Sequence, residues 1–288
     1  MDPVSDSEAK REYPDLRIVP IGRVFPHELH DEQRALPLLN TLHRDGILKS
    51  PVLVTTLDEA DGDTTYMILD GTNRSIALDL LGVGHALVQV VEYRAPVVQL
   101  LAWNHVISGI GEEDLQLRLS SMPGLLPRIM TYKKAVEAFD AGRIQAYCIL
   151  ASGKVLTLTG THDSLAARSE YLQAIVASYI QIAKVDRVTT DNLANLKVLY
   201  PEMAGVFVFP HFKHEEILAL VREGLRVPAG ITRHLIDGRA LRVNYPLEKL
   251  IAARPLEEKN RELLQWMSEK FARREVRYYQ EATYVFDE

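Results

Sequence analysis

The residues able to do chemistry lie in separate places along the chain. The densest set is Asp70-Gly71-Thr72-Asn73-Arg74. It follows the apolar run Tyr66 to Leu69 without a spacer and precedes Ile76, Ala77, Leu80 and Leu81 at helical spacing, with Gly82 as a stop. A strand that passes through a glycine turn into a helix leaves the first helical N–H groups unpaired at the positive end of the dipole, a place for an anion and above all a phosphate. Arg74 adds a forked, permanent cation there. Asp70, beside an anion, either caps the helix or holds a divalent cation that bridges phosphates; with no function, the same residues are a turn and a solvated arginine. The second set is Thr232-Arg233-His234, placed after the turn-forming Pro228-Ala229-Gly230 in the segment 226–239. A hydroxyl, a guanidinium and an imidazole gathered there suit a small substrate with a carboxylate. The third is Glu28 in Pro26-His27-Glu28, a carboxylate at a strand exit or the cap of the next helix.

These sets need a scaffold, and the chain divides into a regular part and a less regular one. Leu16 to Phe25 reads as a strand interrupted at Pro20, Asp31 to Asp45 as a helix with Leu36, Leu39 and Leu42 inward, and Pro51 to Thr56 and Tyr66 to Leu69 as strands joined by a hairpin loop. After the glycine turn and its helix come a strand, Ala86 to Glu92, and a helix, Pro96 to Ile107, carrying Trp103, Asn104 and His105. Further on, Glu112 to Ser120 is amphipathic and Arg143 to Leu158 reads as two strands joined at Ser152-Gly153. Helices are expected over Ser164 to Ala183, His214 to Glu223 and Glu257 to Phe271, with strands at Val206 to Phe209 and Tyr278 to Phe286.

Composition narrows the function. The 288 residues can bury a sizeable core in one large domain or two ordinary ones, and 33 basic against 39 acidic residues give a net charge of −6. That balance argues against nucleic acid as a partner. No apolar run approaches the roughly 18 residues of a membrane span and nothing resembles a signal peptide, so a cytoplasmic protein is expected. The single cysteine, Cys148, lies in an apolar run and reads as core. A Gly-Lys-Ser/Thr phosphate loop, a kinase glycine-rich loop and a His-Arg-Asp loop are all missing, and His211 with His214 is a weak metal spacing. Any phosphoryl chemistry must use another scaffold.

Glu28 with its strand, the following helix, Gly46-Ile-Leu-Lys-Ser-Pro51-Val-Leu-Val54 and the Asp70–Arg74 turn together resemble the ParB/sulfiredoxin-like fold. Within that superfamily, Val227-Pro-Ala-Gly-Ile-Thr-Arg-His234, Gly238-Arg239 and Tyr245-Pro-Leu-Glu-Lys-Leu250 resemble the C-terminal part of the free L-serine kinases, among them one that serves siderophore biosynthesis. The likeness runs from about residue 16 to the end. It implies an α+β protein: a ParB/sulfiredoxin-like nucleotide-binding domain over 14–108, and a mixed α/β domain over 109–288 packed against it and carrying the segment 226–239. It implies a kinase that phosphorylates the hydroxyl of free L-serine to O-phospho-L-serine, using ATP or ADP with magnesium (Mg2+). On this likeness Glu28 is the general base, Asp70 stands near the metal, Asp70, Gly71, Thr72, Asn73 and Arg74 bind the nucleotide phosphates, and Trp103, Thr232, Arg233 and His234 surround the serine. Asn73 stands where the usual motif has histidine, so it can donate a hydrogen bond but carry no charge. A sulfiredoxin activity is excluded, because its catalytic cysteine belongs in this turn. The competing reading is a non-catalytic nucleotide-binding regulator or a partition-protein-like nucleotide switch; the net charge and the lack of a helix-turn-helix signal after residue 110 speak against the switch.

Overall fold

Proline at position 20 ends the first strand as expected: Leu16–Pro20 is followed by a short 3-10 turn, Ile21–Arg23, and a second strand, Val24–Pro26. The computed structural model describes residues 13–30, 32–60, 63–159 and 164–278. Its described residues fall into two units. The first takes in the chain up to Phe25, Glu32–Glu92 and the chain from Ile236 onward; the second takes in Pro26–Asp31 and Tyr93–Leu235. Sequence placed the boundary at residue 108. Contacts instead give 93–108 to the second unit and return the chain from Ile236 to the first.

The first unit holds a five-stranded sheet in the order Leu16–Pro20, His85–Val90, Val52–Ala60, Asp63–Asp70, Val24–Pro26. Val52–Ala60 and Asp63–Asp70 form an antiparallel hairpin. The helix Thr72–Leu80 then carries the chain back to His85–Val90, which runs parallel to Val52–Ala60 with Val52 opposite Val88. The core is Ile18, Val52, Val54, Ile68, Ala77, Leu78, Leu87 and Val88, completed by Tyr245, Leu263 and Met267 from the C-terminal part. Helix Leu256–Ala272 belongs here for a specific reason. Asn260 lies against the edge strand, its Nδ2 donating to Ile18 O at 2.8 Å and its Oδ1 accepting from Ile18 N at 2.8 Å. One side-chain amide thus satisfies both backbone groups that an edge strand leaves open.

Two apolar assignments shift. In Glu32–Asp45, Leu42 is buried but Leu36 is 61% exposed; in Thr72–Leu80 the buried set is Thr72, Ser75, Ala77 and Leu78, and Leu80 is 60% exposed. Thr72, Ser75 and Leu78 recur at three-residue steps, so the inward stripe runs one position away from the one read from leucines alone.

The second unit holds a six-stranded antiparallel sheet in the order Lys184–Val188, Asn104–Ser108, Met203–Val208, Ala146–Leu150, Val155–Thr159, Leu126–Met130. Val106, Ile149, Val155 and Val206 anchor its core with Leu196 and Ala135. The helix expected over Pro96 to Ile107 is instead two strands, Val98–Ala102 and Asn104–Ser108. Asn104 to Ile107 are all buried, so the strand lacks the period-two alternation that would have marked it. Val98–Ala102 pairs with Thr232–Ile236 in a separate two-stranded sheet. The paired strands about Ser152-Gly153 form as expected, Ser164 caps the helix Leu165–Ala177 by accepting from Ala167 N at 3.1 Å, and His214–Arg222 is a helix. The expected last strand, Tyr278 to Phe286, lies outside the described residues beyond Tyr278. Cys148 is buried, and burial pushes its thiol pKa well up, so it is an inert core group. Among the described residues no helix is long and apolar enough to cross a membrane.

Candidate active site

Strand Asp63–Asp70 ends at Asp70, and Gly71 takes φ 103° and ψ 22° as the N-cap of Thr72–Leu80. Only glycine adopts this conformation without strain. No side chain of the N-cap closes the helix, so its first N–H groups are left for an external acceptor. Asp70 therefore does not cap this helix. Its Oδ2 instead accepts from Arg74 Nη2 at 3.4 Å and from Arg239 Nη2. Burial acts to raise the Asp70 carboxyl pKa, but the guanidinium groups of Arg74 and Arg239 outweigh it and hold the pKa below the usual value. The ion pair thus adds stability above the ordinary carboxylate pKa and loses it as pH falls through the lowered one. Two guanidinium groups around one carboxylate leave a net positive charge at a helix N-terminus, and the buried Arg74 Nε has no hydrogen-bond partner. Such an arrangement can take an anion, with a donor to spare.

Arg239 belongs to the Gly238-Arg239 part of the resemblance, which gives it no role. Buried Gln89 sets it in place: its Nε2 donates to Gly238 O at 2.9 Å and its Oε1 accepts from Ala240 N at 2.8 Å, which fixes the backbone on both sides of Arg239. Gly71 matters to Arg74 as well. A Cβ at position 71 would stand 2.7 Å from Arg74 Nη2 and 2.9 Å from its Nε. Gly71→Ala is expected to cost about 1–2 kcal/mol of stability from the left-handed backbone and to weaken nucleotide binding by displacing that guanidinium. Thermal unfolding beside a nucleotide titration checks both; a variant equal to the parent in both would contradict this geometry.

The other sequence-selected residues lie in the second unit. Residues 27–29 run beside the segment at 227: Val227 N donates to His27 O and Leu29 N to Val227 O, both at 2.9 Å, around a parallel bridge between Glu28 and Val227. This backbone pairing brings Glu28 to the Pro-Ala-Gly turn, where Gly230 N donates to Glu28 Oε2 at 2.9 Å. Thr232 Oγ1 lies 3.4 Å from the same oxygen and 2.7 Å from Nε2 of the buried His27. Glu28, His27 and Thr232 thus share one hydrogen-bonded cluster. The ring of His234 meets that of His27 edge-on, with centroids 4.9 Å apart, and its Nε2 is 2.9 Å from Tyr93 OH, whose pKa burial pushes well up.

Thr232, Arg233 and His234 do not gather as three neighbours in a turn. They lie on the strand Thr232–Ile236, whose alternation turns Thr232 and His234 toward His27 and sends Arg233 to the opposite face. There the Arg233 guanidinium stacks 4.5 Å from the centroid of the Trp103 ring. Behind the turn, His105 Nε2 donates to Gly230 O at 2.9 Å while its Nδ1 lies 2.8 Å from Tyr179 OH. His214 Nε2 donates to Val98 O at 3.0 Å, and the described residues contain no group of three or more His, Cys, Asp or Glu able to hold a metal.

No family model matches the chain. It is 26% identical over 274 residues to the ATP-dependent L-serine kinase SbnI of Staphylococcus aureus, across 95% of this chain and 97% of that protein. It is 22% identical over 240 residues to the ADP-dependent L-serine kinase SerK of Thermococcus kodakarensis, across 82% and 93% respectively. Among solved structures, C-terminally truncated SbnI from Staphylococcus aureus superposes with a TM-score of 0.66 at 24% identity, covering 89% of this chain and 97% of that one. A free serine kinase in complex with AMP gives 0.66 at 20%, covering 85% and 98%. The chain has the α+β fold of the free serine kinases.

Proposed function

We propose that the protein is a nucleotide-dependent kinase that transfers a phosphoryl group to the hydroxyl of free L-serine. The observation that carries this is the Glu28 cluster: a partly exposed carboxylate, fixed by a backbone N–H and beside a threonine hydroxyl and two histidines, is equipped to hold and deprotonate a small alcohol. The chemistry asks for a donor phosphate held and neutralised, an acceptor oxygen placed in line, and a group to take its proton. On this reading the N–H groups from Gly71 to Arg74, the Asn73 amide and the guanidinium groups of Arg74 and Arg239 hold the donor. Glu28 takes the serine hydroxyl proton as that oxygen forms its bond to phosphorus and the bond to the nucleotide oxygen breaks, releasing the shortened nucleotide. Thr232 and His234 border the amino acid on Glu28's side, while Arg233, stacked on Trp103, lies on the opposite face of their strand.

Asp70, ionised and next to the phosphate turn, is a donor for magnesium of the kind that ion uses when most of its ligands are phosphate oxygens and water. When bound there, magnesium would supply positive charge against the donor's phosphates. The donor is ATP or ADP, each of which presents a terminal phosphate to the same turn. The named relatives divide between the two. On this reading the protein acts in the cytoplasm on a small molecule and without nucleic acid.

The test is incubation with magnesium, either donor and a panel of small alcohols that includes L-serine, D-serine, L-threonine and glycerol, with products identified by mass. O-phospho-L-serine from one donor is the expected result. Nucleotide binding with no phosphorylated product from any acceptor would replace the kinase by a nucleotide-binding regulator.

A further inference from the structure

Arg187 stands at the Glu28 cluster without having been marked by any motif. It lies on the strand Lys184–Val188, directly opposite His105 of Asn104–Ser108. Both side chains of this cross-strand pair converge on Gly230. His105 Nε2 donates to the Gly230 carbonyl, while the Arg187 guanidinium lies over its α-carbon, where a Cβ would overlap Arg187 Nη2 and Nε. Gly230 has φ +75° and gives its N–H to Glu28 Oε2 at 2.9 Å. One glycine therefore carries the catalytic carboxylate on its nitrogen and a guanidinium on its α-carbon. The missing side chain is what lets the guanidinium approach.

Free serine is a zwitterion, and the reacting hydroxyl is two carbons from its carboxylate. When that hydroxyl is bound at Glu28, its carboxylate must lie within a few ångströms and needs a cation with matching donors. Arg233 is turned to the opposite face of its strand and stacked on Trp103. Arg187 is beside the same glycine as Glu28. Resting on the serine kinase reading, we propose that Arg187 is a specificity-determining residue that binds the substrate carboxylate, so that the enzyme selects amino acids over amino alcohols and amides of the same shape.

The test compares L-serine with L-serinamide, in which a neutral amide replaces the carboxylate, for the parent, Arg187→Met, Arg187→Lys and Arg233→Met. Turnover gives KM and kcat, calorimetry gives binding of each acceptor, and a nucleotide titration verifies that each variant is folded. Arg187→Met is expected to raise the serine KM and Kd roughly 10- to 100-fold, the usual worth of a hydrogen bond to a charged group, with little change for serinamide. Arg187→Lys should recover part of the preference, since it keeps the charge and loses the fork. If Arg187→Met keeps the parent's preference for serine, or if Arg233→Met alone abolishes it, the assignment is overturned while the kinase reading stands. A parent that neither binds nor phosphorylates serine would overturn both, and the parent alone reveals that case.

Discussion

Glu28→Gln is expected to lower serine phosphorylation by roughly 10²–10⁴ while leaving nucleotide and serine binding close to the parent's, as for the loss of a general base. Glutamine keeps the length of the side chain and an oxygen that can still accept from Gly230 N and lie beside Thr232 Oγ1. What it loses is basicity. A purely structural role at the bridge to Val227 predicts a different pattern, because the backbone hydrogen bonds of His27 and Leu29 to Val227 do not depend on the carboxylate. In that case the variant would lose a little stability and keep its turnover. Calorimetric binding beside initial rates separates the two, and turnover within about threefold of the parent would remove Glu28 as the base.

Arg74→Ala is expected to weaken nucleotide binding by about 1.5–3 kcal/mol, the range for a hydrogen bond to a charged group, and to leave serine binding near the parent's. The partly buried guanidinium of Arg74 is lowered in pKa chiefly by burial, against the opposing pull of Asp70, and its Nε points at no acceptor. Such a desolvated donor is costly unless something binds it, and a nucleotide phosphate is what the adjacent helix start would hold. Removing it leaves Asp70 paired with Arg239 alone, so the phosphate site goes from net positive to neutral. Nucleotide affinity unchanged in a folded variant would show that the phosphates bind elsewhere.

How far the site was legible in sequence depended on how local its signals are. The Asp70–Arg74 turn was readable because strand, glycine and helix follow one another within a few residues, and Gly71 does adopt the positive φ that the turn requires. Arg239 was not, since its partner is 169 residues away and the side chain that orients its backbone is Gln89 on another strand. Arg187 carries no motif either; it is defined by the strand pairing that sets it opposite His105. The stretch 96–107 misled for the converse reason: Asn104 to Ile107 are all buried, polar and apolar alike, so no period-two alternation marks the strand, and only pairing with its neighbours decides it. The three residues from Thr232 to His234 were identified together, but their strand geometry, which separates Arg233 from the other two, is a property of pairing with Val98–Ala102 that composition cannot reveal.

The most direct measurement is phosphorus NMR of the protein with L-serine, magnesium and either ATP or ADP, followed over time. A kinase of this type predicts a growing phosphomonoester resonance that coincides with added O-phospho-L-serine, matched by loss of the donor's terminal phosphate, and almost no such signal from Glu28→Gln over the same period. Loss of the terminal phosphate to inorganic phosphate alone, with and without serine, would contradict it.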